Sequence, residues 1–468
     1  MSAIEKFVEV ASKKIKRDIS TSKAIFFTML SAYTNDPINL YLKGPSSIGK
    51  SYLVSVVSQY FPEEDVWSLA DASPRAFVHE LSVPIDEHGE VIPEAYDVEK
   101  EGMSADEIKE MRLRMKKSKR LVNLEKKIAV FYETPNPFTM ARLRPILSHD
   151  KAELEYRFVD RPKGGMMRTI RVVVQGWPAT IFADTSAEWF EDFVTRGFTA
   201  TPEMSKSKYQ EAIQMVGFNE SDIESPDEDM EAMRNLVRIF KVTAEKYTVK
   251  IPYAGDVALL YPHEISRDMR DYKRFLALVK VITLLRASER ARMVAAGKTY
   301  LLSAAPDFKE ALIAFSRMEL TTRTGLPGDI VSLYESVLLP MKAMEYFTLT
   351  DVVAAYKKAF GRSISRQTVR DRAIKALLAA GLIDRLSDDD VNKKDLDRRM
   401  VAYTVIALTV ESITKSFDQD FGVLFPKERF LAWYERQKVV AGNGIEFFSP
   451  ADARLDPDQV YGSMAGSG

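Results

Sequence analysis

The sequence predicts an α/β protein with a buried parallel sheet, a helical region after it, and a C-terminal helix-turn-helix unit with a two-stranded wing. Three observations carry that prediction. The apolar run Ile38-Asn39-Leu40-Tyr41-Leu42 leads directly into a glycine-bounded octet and an apolar-periodic stretch, the pattern of strand, loop and helix. Short apolar runs recur at residues 66–69, 127–133 and 179–185, each of strand length and of the kind buried on both faces of a parallel sheet. Between residues 347 and 405, two helix-length segments with start and stop signals precede two short alternating runs.

The octet is Gly44-Pro45-Ser46-Ser47-Ile48-Gly49-Lys50-Ser51, which reads G-x-x-x-x-G-K-S, followed by Tyr52. A loop of this form turns its backbone N–H groups inward to cradle phosphates, and its glycines permit that turn. Lys50 is placed to reach the β- and γ-phosphates, Ser51 to ligate Mg²⁺, and the helix that follows adds the positive end of its dipole. Glycine-rich turns before helices are common in general, but the Lys-Ser pair and the flanking strand point to ATP or GTP binding.

Composition sets the frame. The chain has 468 residues, 46% hydrophobic and 28% charged, enough for two or three domains of a soluble globular protein. No run approaches a bilayer-spanning length, and Met1-Ser2-Ala3-Ile4-Glu5-Lys6 starts a charged helix rather than a signal peptide, so a cytoplasmic protein with no membrane partner is expected. The absence of cysteine excludes disulfides and thiolate-bound zinc. The four histidines, His79, His88, His149 and His263, have no metal-ligand spacing. A net charge of −1 argues against nucleic-acid binding by bulk charge, though not by local basic patches.

Taken in order, residues 1–36 read as a helical lead-in with Lys13, Lys14, Lys16 and Arg17 on a polar face. A nucleotide-binding core follows over 37–202, interrupted at 73–127 by a Pro- and Gly-punctuated insert. The insert ends in a charged helix around residues 105–120, where Arg112, Arg114, Lys116, Lys117, Lys119 and Arg120 read as a solvated face or, less favourably, a DNA-facing one. The run Ile128-Ala129-Val130-Phe131-Tyr132-Glu133 has the form of a Walker B strand, with Tyr132 where the usual Asp would stand. Glu133 remains to polarise an attacking water; the bland alternative is a strand-end acid. Residues 154–175 form a β-hairpin whose tip carries Arg161, Lys163 and Arg168. Such charges can blunt an edge strand or contact DNA phosphates.

The strand at 179–183 delivers Asp184 and Thr185, the sensor 1 position of an oligomeric ATPase, and Arg196 stands where a finger reaching a neighbour's γ-phosphate would. Residues 219–231 read as an acidic linker. Within a helical lid over 203–343, Arg270, with Arg267 as substitute, is the candidate sensor 2. The winged helix-turn-helix is placed at 344–407, and Arg366, Gln367 and Arg370 open its second helix, where DNA contacts are made; many such units bind proteins instead. The tail at 408–468 reads as partly disordered or as an assembly contact.

Taken together, these features resemble an AAA+ ATPase of the pre-sensor-1 hairpin group, to which the MCM replicative helicases belong. The resemblance covers roughly residues 37–405 and rests on the octet, the insert, the hairpin and the winged helix, with further likeness to helicase-like ATPases of archaea and mobile elements at Ala72-Ser73-Pro74-Arg75, Glu133-Thr134-Pro135 and Arg270-Asp271. It implies ATP with Mg²⁺, a homo-oligomeric ring (commonly a hexamer), DNA as partner alongside other replication proteins, and ATP-driven translocation or unwinding. Two departures stand out: the Walker B Asp is absent, and too few residues precede the core for a DNA-encircling N-terminal domain. They keep open a non-motor switch, such as a helicase loader or plasmid-maintenance factor, and a signalling ATPase whose winged helix binds protein. A small-molecule kinase is the remotest reading, since a winged helix is rarely appended to one.

Overall fold

A computed structural model describes residues 2–69, 82–92, 109, 114, 118–133, 144–149, 151–160, 168–183, 196–221, 228–261, 268–324, 326, 328–380, 382–386, 401–405, 417, 421–442 and 444–466. Five strands form the core sheet: β1 (Asn39–Leu42), β2 (Val66–Leu69), β5 (Ile128–Phe131), β8 (Ala179–Phe182) and β9 (Phe198–Ala200). Their order is β2-β5-β8-β1-β9 and every pairing is parallel. All five therefore end at the same edge, where ligands of open α/β sheets bind.

Side-chain alternation explains why these runs are apolar throughout. Leu40, Leu42, Ile128, Val130, Ile181 and Ala183 enter the main core on one face, while Tyr41, Ala129, Phe131 and Phe182 enter a smaller cluster on the other. On that second face, Tyr41, Phe182 and Phe131 stack across three neighbouring strands, with centroids 4.9 and 4.7 Å apart and planes within 9° and 6°. Stacked pairs of this kind add about 0.5–1.5 kcal/mol each beyond their burial.

The main-core face is covered by α1 (Ala3–Lys14), α2 (Ile19–Ser31) and α3 (Lys50–Ser58). Almost all of α2 is buried, its hydroxyl side chains included, and Ser22 and Ser31 donate to the Asp18 and Thr28 carbonyls. The expected polar face of the lead-in is spent on ion pairs: Lys6 and Lys13 both meet Asp229, and Arg17 meets Glu211 at 2.7 Å. The opposite face is covered by a second sheet of β3 (Val83–Ile85), β4 (Lys119–Asn123), β6 (Glu153–Asp160) and β7 (Arg168–Gln175), in the order β3-β4-β7-β6.

That sheet revises two expectations. Lys119 and Arg120 belong to a strand, so the charged helix does not extend to residue 120. Two of the cluster's cations are also not simply solvated: Arg120 donates to Ser82 Oγ at 2.6 Å and to the Ser82 carbonyl at 2.7 Å, and Arg114 pairs with Asp86. The hairpin pairs over eight residues from Glu153↔Gln175 to Asp160↔Arg168, but β7 also pairs in parallel with β4. It is thus half of a mixed sheet fused to the insert, not a free arm.

Beyond the core sheet, α4 (Lys206–Ser221), α5 (Glu228–Lys246), α6 (Asp268–Leu285) and α7 (Ala305–Thr324) follow. Helices α4 and α5 extend into the stretch read as an acidic linker, leaving only 222–227 outside the described residues. The lid region is not purely helical. It holds β10 (Thr248–Lys250), β11 (Arg292–Ala295) and β12 (Lys298–Leu302), and the β11–β12 turn has positive φ at both Ala296 and Gly297, as a two-residue hairpin requires.

From Leu326 to Tyr403 the chain builds a separate core. It contains the helical turns Gly328–Leu333, Tyr334–Leu338 and Leu339–Ala343, β13 (Phe347–Thr348), α8 (Leu349–Phe360), a second helix from Arg366 to Ala379, β14 (Ile383–Arg385) and β15 (Ala402–Val405), with strand order β13-β15-β14. The unit therefore begins before residue 344. Past it, the stretch read as a loose tail folds back: β16 (Ile445–Phe448) pairs with β11, β17 (Arg454–Leu455) pairs with β16, and α9 (Lys427–Ala441) and α10 (Pro457–Ala465) bury Phe430, Trp433, Val460 and Met464 in the main core.

Candidate nucleotide site

The octet leaves the C-terminal end of β1 and winds into α3. Gly44 has φ +135°, and a Cβ there would lie 2.5 Å from Ile48 Cδ1, so only glycine fits. Ser47 is also left-handed, with φ 64°, and Gly49, with φ 93°, occupies the N-cap of α3 without any side-chain cap. The first N–H groups of α3 are thus uncapped by side chains at the loop, a ready anion cradle. Ser46, Ser47, Ser51 and Tyr52 are exposed; Ile48 and Lys50 are buried. Pro45 is half-buried. The Tyr52 hydroxyl donates to the Lys14 carbonyl at 2.8 Å, joining α3 to the end of α1; its partial burial raises its pKa above the ordinary phenol value.

Lys50 is folded back into its own loop, donating to the carbonyls of Gly44 at 2.8 Å and Pro45 at 2.7 Å. A buried ammonium that donates to neutral carbonyls can exchange those bonds for an incoming polyanion. The cradle, the lysine and the exposed Ser51 hydroxyl fit a nucleoside triphosphate with its magnesium ion.

Glu133 is exposed just past β5, at the same sheet edge. Strand β8 lies between β5 and β1, so Glu133 stands two strand spacings, roughly 10 Å, across from the loop. Tyr132 turns to the other face, where it packs against the main core and bonds to Ser68 on β2. Burial raises its pKa, and it presents no anionic ligand where the Walker B Asp is expected. Strand β8 ends at Phe182 between the two, and the Ala183 N–H just past it donates to the Phe131 carbonyl at 2.9 Å. Asp184 and Thr185 themselves lie outside the described residues.

Arg196 lies at the opposite edge. Its carbonyl accepts from Asn39 Nδ2 at 2.9 Å, and Asn39 is the first residue of β1. The length of β1, roughly 13 Å, separates it from the loop of its own chain. Gly197 next to it packs so tightly that a Cβ would meet the Asn39 carbonyl oxygen at 2.5 Å. Arg270 is exposed on the first turn of α6, whose buried side packs on α2, α5 and α7. Arg267 lies outside the described residues.

Local pattern missed one residue of this site. Lys208, on the first turn of α4, is buried and donates to the Ile48 carbonyl at 2.8 Å. In sequence it is one lysine in a polar stretch, with nothing to mark it.

In the C-terminal unit, Thr348 and Asp351 form a reciprocal capping box for α8, and Gly361 closes that helix in the left-handed conformation. Ser365 caps the second helix, accepting from the Thr368 N–H at 3.0 Å. Arg366, Gln367 and Arg370 are exposed on it and line an open cleft of about 800 Å³ with Thr348, Thr350 and Val401. Arg366 bonds to Thr350, and Arg370 pairs with Asp371 at 2.9 Å. The cleft thus gathers three of the six residues expected to bind DNA. Of the hairpin residues, Arg161 and Lys163 lie outside the described residues, and Arg168 opens β7 opposite Asp160.

Among the described residues, no group of three or more His, Asp or Glu side chains is placed to hold a metal ion, and no helix is long and apolar enough to cross a membrane. No family model and no curated protein matches the chain. Among solved structures, the Orc1 protein of Aeropyrum pernix, determined in complex with DNA, is similar at 12% identity over 87% of this chain and 94% of that one, with a TM-score of 0.23. A score so low carries no argument for fold or function.

Proposed function

We propose that this chain is an ATPase of the AAA+ type that works as a ring on DNA, coupling ATP hydrolysis to translocation or unwinding during replication. The carrying observation is the phosphate loop at the edge of a parallel sheet in which the strand leading to Asp184 and Thr185 lies between those of Lys50 and Glu133. That order brings Lys50 and Glu133 to one edge of the sheet, with the strand that precedes Asp184 and Thr185 ending between them. Lys50 and the loop N–H groups would bind the β- and γ-phosphates, Ser51 and Glu133 would hold Mg²⁺, and Glu133 would orient the attacking water. Bound magnesium would supply charge neutralisation at the transferring phosphoryl group.

Arg196 is too far from its own loop to serve it, so a role in hydrolysis requires a second subunit's site, the logic of an arginine finger in a homo-oligomer. Arg270 would act as sensor 2. The C-terminal unit is read as a winged helix whose cleft at Arg366, Gln367 and Arg370 meets DNA, while Arg161, Lys163 and Arg168 would grip phosphates without regard to sequence.

A second reading, a non-motor ATPase switch such as a helicase loader or plasmid-maintenance factor, is favoured by Tyr132. It offers no carboxylate where the Walker B Asp is expected, which suits ATP-controlled assembly better than rapid turnover. Strand displacement on a forked duplex separates the two. ATP-dependent unwinding that vanishes in Lys50→Ala supports the motor; a folded, ATP-binding wild type that unwinds nothing leaves the switch.

A further inference from the structure

Two lysines meet the phosphate loop, and only one is in the motif. Lys208 lies beneath the loop, donating to the Ile48 carbonyl at 2.8 Å and the Glu203 carbonyl at 2.9 Å and forming an ion pair with the Asp18 carboxylate. Its ammonium also sits 3.9 Å from where a Cβ on Gly49 would stand, at the cap of α3. A loop that turns its N–H groups toward an anion must direct carbonyls elsewhere, and at Ile48 that carbonyl is received by Lys208.

Asp18 is 2% exposed and also accepts from the Glu203 N–H at 2.7 Å. It occupies the elbow between α1 and α2, directly after Arg17, whose φ of 62° is uncommon for a residue other than glycine. One turn further along α4, Glu211 takes the Arg17 guanidinium. Helix α4 thus grips both residues of the elbow with one turn and the phosphate loop with the same lysine. The rest of α4 is mainly exposed, including Ile213, Val216 and Phe218, so its first turn is where it is anchored.

A buried ion pair is a poor source of stability, because desolvation offsets most of the attraction. Burial indeed raises the pKa of Asp18, against the lowering effect of Lys208. Since the pair is neutral as a whole, it adds little field at the phosphate site. What it fixes is position.

We propose that Lys208 is a positioning residue of the nucleotide site: paired with Asp18, it braces the loop from outside and ties loop order to the α1–α2 elbow. The proposal rests on the nucleotide reading above. Nucleotide affinity then depends on a side chain that does not touch phosphate, and nucleotide binding firms the elbow as well as the loop.

The test uses the full chain, a fluorescent ATP analogue and amide hydrogen exchange. Lys208→Met strands a buried carboxylate, so the informative variant is Asp18→Leu/Lys208→Met, which removes both charges. The double variant is expected to stay folded with a lowered midpoint, because the Ile48 and Glu203 carbonyls and the Glu203 N–H lose their partners, and to bind the analogue about tenfold more weakly, with Lys208→Arg binding between it and wild type. In wild type, nucleotide slows exchange at 15–23 as well as at 44–52; in the double variant it slows only the loop. A double variant with wild-type affinity and exchange overturns the brace alone. A wild type that binds no nucleotide, unaltered by Lys50→Ala, overturns the nucleotide reading and the brace with it.

Discussion

The Lys50 ammonium donates to the Gly44 carbonyl at 2.8 Å, so the lysine of the phosphate loop is bonded to the first residue of that loop. These bonds must be exchanged for phosphate contacts when a nucleotide enters. Lys50→Met removes the charge while keeping most of the volume. Its affinity for ATP should fall by about a hundredfold, close to 3 kcal/mol and in the range of a lost charge-assisted contact. Thermal melting with and without ATP checks it: ligand linkage raises the wild-type midpoint and leaves the variant's nearly still. Equal shifts in both would remove Lys50 from the site.

Glu133→Gln should separate binding from turnover. The side chain is exposed at the sheet edge across from the loop, so the amide costs little stability. Hydrolysis should drop by about a hundredfold or more, the scale of a lost general base, with ATP affinity within about twofold. Single-turnover hydrolysis beside equilibrium binding reads both. Unchanged turnover would make Glu133 only a strand-end acid.

Arg196 and Gly197 are adjacent and should fail differently. Gly197→Ala drives a methyl into the Asn39 carbonyl oxygen and Tyr41 Cε2 (2.5 and 2.7 Å), neither of which can yield easily. A loss of about 1–3 kcal/mol is expected by urea denaturation. Arg196→Ala should fold and bind ATP yet lose about a thousandfold in turnover if it is a trans finger. Mixing it with Lys50→Ala subunits should restore part of the activity, because each supplies what the other lacks. No restoration in mixed oligomers would count against a shared site.

Local pattern revealed the elements that carry their own punctuation. The strand-loop-helix at Gly44–Lys50 and the capped helices at Thr348 and Ser365 need only neighbours in sequence, and the structure has them in place. Contacts between distant segments were not legible. Strand β4 pairs with β7 some fifty residues later, and β16 joins β11 about one hundred and fifty residues away, so the insert and the tail gave no local sign of their sheets. Lys208 was invisible for the same reason, since its partners are Asp18 and Ile48.

The α1–α5 contact should weaken in acid. Hydrogen bonds from Lys13 and Lys6 hold the Asp229 carboxyl below its ordinary value. A depressed carboxyl stabilises the fold above its unfolded pKa, about 3.9, and that contribution fades as pH falls through the lower folded value. Wild type should therefore lose stability relative to Asp229→Asn as pH falls from about 5 through the lowered folded value. Urea midpoints across that window measure the difference, and parallel curves would show that the pair is fully screened.

Asp371 competes for the cation that DNA would use. Its carboxylate holds Arg370 at 2.9 and 3.3 Å in the cleft beside Arg366, and Arg370 holds the Asp371 carboxyl below its ordinary pKa. If the cleft meets phosphates, Asp371→Asn both frees the guanidinium and removes a charge that repels the backbone. DNA affinity should then rise by several-fold, while Arg366→Ala lowers it and reduces the slope of log affinity against log salt by about one. Fluorescence anisotropy on the full chain at several salt concentrations measures all three proteins. Phosphate contact predicts the same change on any duplex, and base reading predicts a change confined to one sequence. An Asp371→Asn protein that binds DNA no better than wild type would place the nucleic-acid surface elsewhere.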